Sequence, residues 1–493
     1  MRNFAHHCAL ALLGGALALA AAPAASATNF LEVYHQALVH DPAYRQARAI
    51  YRAAREARPE AFALLLPQIT ASAGETWDHS SGRSGQINST SSGSLYSYQL
   101  PYAQNTTGKT WSLSLSENLF SWTDWMNLKA ADHQVAEAQA IYEAATQGLI
   151  LTTAQAYFNV LAALNTLHAQ QSSLKALTLE TTRARKEYKI GMIAITDVQQ
   201  ARAARDAAAA EVIVNEQALS AAEDQLQVIT GRQYRTLAEP GPDLPLALPH
   251  PAQRHAWVQA ALRQNLTLIA TRLAAAAARD GVRAAYGSDI PSVQLLASRS
   301  YTDNATNETV FGQLFHGMGG ADNDRQIGIE FSLPVFSGGG DEARIHQAEY
   351  QSISANDAVQ VASRSTIQQT RNAYLGVVTG IADVRALSQA LISSKAAYDA
   401  TEDGYKVGRE TEVDVLNALS TLVSAQTNYA TSRYGYIDSL IQLQYAAGML
   451  HPAEVRTINS WLTRVVPVAH GAPTLNDNGD SAIHAVFQGS GDQ

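Results

Sequence analysis

The sequence predicts a mainly α-helical, internally duplicated chain with a small β part of four strands, and three observations carry that prediction. First, no proline occurs between Pro101 and Pro240 or between Pro334 and Pro452. Proline inside a helix costs about 3 kcal/mol, and these gaps are filled largely by the strong helix formers Ala, Leu, Gln, Glu, Arg and Lys. Second, short motifs recur at one offset. Tyr188-Lys-Ile-Gly191 and Tyr405-Lys-Val-Gly408, Ala156-Tyr157-Phe158 and Ala373-Tyr374-Leu375, and the stretches Gln225 to Gly231 and Gln442 to Gly448 all lie 217 positions apart. A period that long marks a duplicated domain, not a solenoid. Third, apolar residues alternate with period two only beside Leu66-Pro67 and Ile290-Pro291, which are themselves 224 positions apart.

Residues 1–27 read as a secretory signal peptide. Arg2 precedes an apolar run from Cys8 to Ala22, and Ala25-Ser26-Ala27 fits a small-residue cleavage site. No later run of about 18 apolar residues suggests a transmembrane helix. Residues 28–231 form the first structural repeat. A half-length helix, about Asn29 to Leu65, leads to two strands around Ile69–Gly74 and Ser112–Ser116, joined by a Ser/Gly/Asn-rich loop from Asp78 to Gly108. A helix from about Asp124 to Lys189 follows, and its 66 or so residues span roughly 100 Å. Gly191 is a left-handed stop signal, and Thr196-Asp197 restarts the chain as a return helix to Thr230. Residues 232–254, with Pro240, Pro242, Pro245, Pro249 and Pro251, form a linker at mid-height.

Residues 255–450 repeat the plan. A half-length helix runs from about His255 to Gly287, with strands around Val293–Ser298 and Ile327–Leu333 flanking a loop from Thr302 to Arg325. A long helix runs from Asp341 to Lys406, Gly408 stops it, and a return helix runs from Glu412 to Ala447. Helices of 100 Å need neighbours along their whole length. Stacking the first return helix on His255–Gly287 makes one such neighbour, and the N-terminal helix completes the second return helix. Each chain then supplies four columns. Residues 451–493 form a tail, polar and Gly-rich after Val468 and expected to be disordered at its end.

Strands of about ten residues match the length that crosses an outer membrane when tilted. Four cannot close a barrel, because about eight is the lower limit, and an open edge in lipid leaves backbone groups unsatisfied. A barrel must therefore be shared between protomers, and the pattern alone does not choose between two and three chains. Trp111, Trp122 and Trp125 near a strand end fit an interfacial aromatic belt and fit core packing equally.

Composition excludes several function classes. One cysteine closes no disulfide and builds no thiolate metal site. A balance of 35 basic against 44 acidic residues argues against a nucleic-acid binder. No His pair at i, i+4 follows the signal segment, and no nucleophile elbow or phosphate-binding glycine loop occurs, so neither an enzyme nor a cofactor is expected. Gly317-Met-Gly-Gly320 lacks a strand–helix context, and Asp322-Asn-Asp324 lacks the later ligands of a calcium loop.

Tyr188-Lys-Ile-Gly-Met-Ile-Ala-Ile-Thr-Asp-Val-Gln and Tyr405-Lys-Val-Gly-Arg-Glu-Thr-Glu-Val-Asp-Val-Leu closely resemble the hairpin ends of the TolC family of outer-membrane efflux and secretion channels. Ala156-Tyr157-Phe158-Asn159-Val160-Leu161 and Phe331-Ser-Leu-Pro-Val-Phe-Ser-Gly-Gly339 share the likeness, which covers about residues 28–460. The resemblance implies a homotrimer. Its fold would be a TolC-like α-helical barrel across the periplasm, continued by a shared 12-stranded β-barrel in the outer membrane of a Gram-negative bacterium. Its function would be a passive exit duct for a tripartite efflux pump or type I secretion system. Partners would be outer-membrane lipid, a periplasmic adaptor and an inner-membrane transporter of ABC or RND type. The rival reading is a periplasmic structural or adaptor coiled coil without a pore.

In that family the periplasmic tip is closed by inward-coiled helices, with acidic rings at the constriction and polar links holding it shut. Asp414 takes the place of the first ring, and Asn417 stands where a second acid is usual. Thr196, Asp197, Tyr405 and Arg433 match latch positions; Glu410 stands where an Arg is common, with Arg409 adjacent. A ring of carboxylates in a narrow pore favours cations. Plainer readings stand beside these roles. Asp197 and Asp414 lie in first helical turns, where acids offset the macrodipole. Tyr405 alone reads as packing, and Arg433 as a solvated or surface-paired charge.

Overall fold

Two helices set the length of the molecule. In the computed structural model, which describes residues 28–468 apart from 243, 311 and 312, α4 spans Trp122–Lys189 and α8 spans Gly340–Lys406. At 1.5 Å per residue each is roughly 100 Å long. Ser121 caps α4 by accepting the Asp124 N–H at 3.2 Å. The signal segment and the tail after Val468 lie outside the described residues.

Helices α1 (Phe30–His40), α2 (Pro42–Arg55) and α3 (Ala57–Ala63) replace the single N-terminal helix expected. Pro42 has no N–H to continue α1, and the Asp41 carboxylate restarts the chain by accepting the Tyr44 N–H at 2.8 Å. The second half-length helix divides in the same way. Asn265 separates α6 (Arg254–Gln264) from α7 (Leu266–Ala285) and caps α7 through the Leu268 N–H at 3.0 Å. Asp41 and Asn265 are themselves 224 positions apart.

The return helices are α5 (Ile195–Thr230) and α9 (Glu412–Ala446). Four columns result, but the stacking differs from the sequence expectation. The end of α5 meets the end of α1, with Gly231 against His40, while the Asn265 side-chain amide at the start of α7 donates to Ala446 O at 3.0 Å. So α5 continues into the N-terminal helices, and α9 continues into α7. The Pro-rich segment carries the chain sideways from one column to the other.

Strands β1 (Gln68–Ser89), β2 (Leu95–Phe120), β4 (Ser292–Val310) and β5 (Gln313–Ser332) form one antiparallel sheet in the order β1-β2-β4-β5. They are about twice as long as expected, and the stretches read as loops are mostly strand. Polar residues on both faces hid them. Ser72 pairs with Ser112 at 2.8 Å and Thr106 with Thr306 at 3.1 Å, and the backbone ladder needs no apolar face outside lipid. Nearer the helices the alternation is as read. Ile69, Leu115, Ala297 and Ile327 lie in one row across the four strands, and Thr70, Ser114, Ser298 and Gln326 lie in the next row on the opposite face. Trp111 sits on the apolar face with the Arg299 guanidinium 5.7 Å from its ring. Trp122 instead ties α4 to α7, donating to Arg283 O at 2.9 Å.

A second sheet, absent from the sequence reading, pairs β3 (Thr236–Pro240) with β6 (Leu462–Pro467) beside α10 (Pro452–Ser460). It lies at mid-height over the main core, where Phe30, Tyr157, Leu161, Leu237 and Ile437 are fully buried. The Tyr157 hydroxyl donates to Ala238 O at 2.6 Å. One further difference concerns α8, which is long and apolar enough to cross a membrane by length and composition, although little of its apolar window is buried within the protomer.

The caps at Gly231 and Gly448 predict unequal costs. Both are left-handed, with φ of 70° and 73°. A Cβ at Gly231 would meet only His40 at 3.5 Å, so Gly231→Ala should cost about 1 kcal/mol. A Cβ at Gly448 would lie 2.1 Å from Gln264 O, so Gly448→Ala should cost roughly 3 kcal/mol or more. Thermal unfolding of the two variants in detergent checks the order.

Candidate functional site at the helical tip

Both hairpins turn by the same device. Gly191 and Gly408 take φ of 75° and 76°. The Gly191 and Gly408 N–H groups donate to Tyr188 O and Tyr405 O, each at 2.9 Å, and those of Met192 and Arg409 reach back to Glu187 O and Gly404 O, also at 2.9 Å. These are Schellman-type closures. The core thins toward this end to the small clusters Leu177, Ala208, Leu419 and Val423, then Ala184, Val198 and Ala201. Polar contacts therefore carry more of the packing at the tip than they do at mid-height.

Asp197 accepts the Ala194 N–H at 3.2 Å and the Thr196 hydroxyl at 3.4 Å, so both residues are used locally at the start of α5. Asp414 does the same for α9, accepting the Thr411 N–H at 2.9 Å and its hydroxyl at 2.5 Å. The Thr411 hydroxyl and N–H hold the Asp414 carboxyl below its usual range. Asn417 is exposed one turn further along α9, on the same side as Asp414.

Tyr405 and Asp197 line one cleft of about 520 Å³. The Tyr405 hydroxyl, however, donates to Glu187 at 2.8 Å, and its ring lies 4.5 Å beneath the Arg183 guanidinium. Arg183 is the hub. It pairs with Glu180, with Glu187 at 3.7 Å and with Glu412 at 3.5 Å, joining α4 to α9. The Glu412 side chain is only 2% exposed, and among the described residues neither of its oxygens accepts a well-aligned hydrogen bond. Burial, with the neighbouring Glu187 and Glu412 carboxylates, raises the Tyr405 phenol above its ordinary range.

Arg409 is exposed, and among the described residues its side chain makes no ion pair. Arg433 is not at the tip. It lies 21 residues beyond Glu412 on α9, about 31 Å away, and its guanidinium donates to Pro240 O at 3.1 Å and to Gly241 O. Its function there is to hold the Pro-rich segment. Glu180, Arg183, Glu187 and Glu412 were missed in the sequence. The spacing of the first three at i, i+3 and i+7 places them on one helix face, and that was the available signal.

Removing Arg183 would strand the Glu412 charge. Arg183→Ala should destabilise the tip by about 3 kcal/mol, the low end for breaking a buried pair because Arg183 is partly exposed. Hydrogen exchange should rise across residues 400–415 and stay unchanged in the core around Tyr157.

The family model for "outer membrane efflux protein" matches residues 33–232 and 257–449. Outer membrane protein TolC of Salmonella enteritidis is 30% identical over 453 residues, covering 90% of this chain and 86% of TolC. Alkaline protease secretion protein AprF of Pseudomonas aeruginosa is 24% identical over 449 residues, covering 90% of each. Among solved structures, the CmeC outer membrane channel of Campylobacter jejuni superposes with a TM-score of 0.68 at 18% identity, over 88% of this chain and 89% of CmeC. With twin hairpins, paired long helices and a half-apolar sheet already in place, the chain belongs to the outer membrane efflux protein family and is an outer-membrane protein with its helical part in the periplasm.

Proposed function

We propose that this chain is an internally duplicated protomer of a homotrimeric channel-tunnel, the passive exit duct of a tripartite efflux pump or a type I secretion system. One observation carries the reading. The sheet β1-β2-β4-β5 ends in two strands that have no further partner among the described residues, and one of its faces is apolar near the helices. In lipid each unpaired backbone group costs several kcal/mol. Pairing β1 of one copy with β5 of the next removes every edge, and three copies give twelve strands. The same closure covers the apolar surface of α8, where Tyr350, Ile353 and Val361 are exposed in the single chain.

The open end of the helical columns is the gate in this reading. Three Asp414 carboxylates around the axis make a negative ring, and Asn417 leaves the next ring neutral. The bonds from Thr411 favour the charged form of each carboxylate, so the ring is anionic at neutral pH. Thr196, Asp197, Tyr405 and Arg409 lie on the turns that meet at the tip, and an adaptor engaging these turns connects the duct to an ABC or RND transporter, which supplies the energy.

Two measurements test this. Membrane fractionation should find a heat-modifiable trimer in the outer membrane, whereas a folded, detergent-free periplasmic monomer would overturn the reading. In planar bilayers Asp414→Asn should lower cation selectivity and weaken block by polyvalent cations at unchanged trimer stability. Recordings identical to the parent would remove the ring assignment.

A further inference from the structure

The tip holds an excess of acid that local capping does not explain. Glu180, Glu187 and Glu412 converge on the single guanidinium of Arg183. Glu412 projects from the first turn of α9 into the corner between α4 and α8, where Arg183 Nη2 stands 3.5 Å from one oxygen and no well-aligned hydrogen bond is made among the described residues. Three ionised carboxylates against one cation leave two uncompensated charges in a corner where Glu412 is buried and Glu180 and Glu187 are only partly exposed. Such a site is tolerable when one carboxyl keeps its proton, as in other carboxyl pairs that share a site.

We propose that Glu180 and Glu412 form a proton-operated lock. While Glu180 keeps its proton beside Glu412, the α4–α8–α9 corner stays packed; when that proton leaves, repulsion loosens the α8–α9 hairpin. The lock rests on the reading of this end as the gate, and deepens it by naming what sets its resting state.

The surroundings fit this role. From α4, Arg183 and Glu187 face the pair; from α8, Tyr398, Glu402 and Tyr405 do so. Lys406 is taken up by Glu402 at 3.2 Å and Asp403 at 3.0 Å. Asp197 of α5 and Glu410 of the turn line the adjoining cleft and add negative charge. Among the described residues, Arg183 is thus the one cation paired with these acids. Burial, then the Glu412 carboxylate beside it, pushes the Glu180 carboxyl up to about 8, against the opposing pull of Arg183.

The sign follows from linkage. A carboxyl raised in the closed tip, and ordinary once the tip loosens, binds its proton more tightly in the closed form. The closed form is therefore favoured fully below the ordinary carboxyl range, and the advantage is lost as pH rises toward about 8. For one linked proton the closed-to-open ratio falls by up to about tenfold per pH unit in that window.

The test uses the full-length protein in detergent and in planar bilayers from pH 5 to 9. In the parent, hydrogen exchange over residues 400–415, corrected for its intrinsic pH dependence, should accelerate as pH rises and level off near the upper end, with bilayer conductance rising in parallel. Glu180→Gln keeps the shape and removes the titration, so its tip should stay protected across the range. Glu412→Gln removes the carboxylate that repels Glu180 and should weaken the pH response, and Glu180→Gln at the less buried position serves if that variant folds poorly. If both variants kept the parent's pH profile, or the parent's tip showed none, the lock would be overturned. A tip that responds to pH as described in a protein that conducts no current would keep the lock and remove the duct.

Discussion

The need to pair every backbone hydrogen-bonding group in lipid governs this structure. A sheet of four strands with two open edges and one apolar face is not a finished object in a membrane. In the proposed assembly copies meet edge to edge and their helices stand side by side, and each chain reaches the same level twice to contribute two hairpins. The length of the strands adds a second point. They run well past the apolar rows near Ile69 and Ile327, and there the ladder is held by Thr, Ser and Asn pairs that suit water.

At mid-height the problem is a proline-rich crossing. Prolines cannot join a ladder as donors, and the carbonyls between them need partners. Arg433 reaches Pro240 O, the Tyr436 hydroxyl reaches Pro245 O at 3.1 Å, and Trp257 Nε1 donates to Pro251 O at 2.7 Å. The crossing is strapped to α6 and α9 by long side chains, while Tyr157 anchors β3 from α4. The largest core lies beneath it, so the molecule is firmest where its columns change partners.

The tip inverts that balance. Its apolar clusters are small, and charge holds the corner together. Arg183 stacks on Tyr405 and bridges acids from two helices, so one cation determines how α4, α8 and α9 meet. A joint made of charges is one that a partner or a change in pH can undo more readily than a hydrophobic joint of the same size.

By itself the sequence determined the helices, because Pro-free runs of strong helix formers between Gly191, Gly408 and the flanking prolines permit little else. It determined the apolar rows of the strands, and the local caps at Asp197 and Asp414, because those depend on residues a few positions apart. The tertiary structure decided what depends on distant partners. Strand length was hidden, since a polar ladder has no period to read. Which half-helix stacks on which was hidden, since it turns on Gly231 against His40 and Asn265 against Ala446. The partners of Arg433 in the Pro-rich segment and of Tyr405 in Glu187 were hidden too, because a side chain's partner is set by which helices are neighbours, and that is decided across about 200 residues of chain.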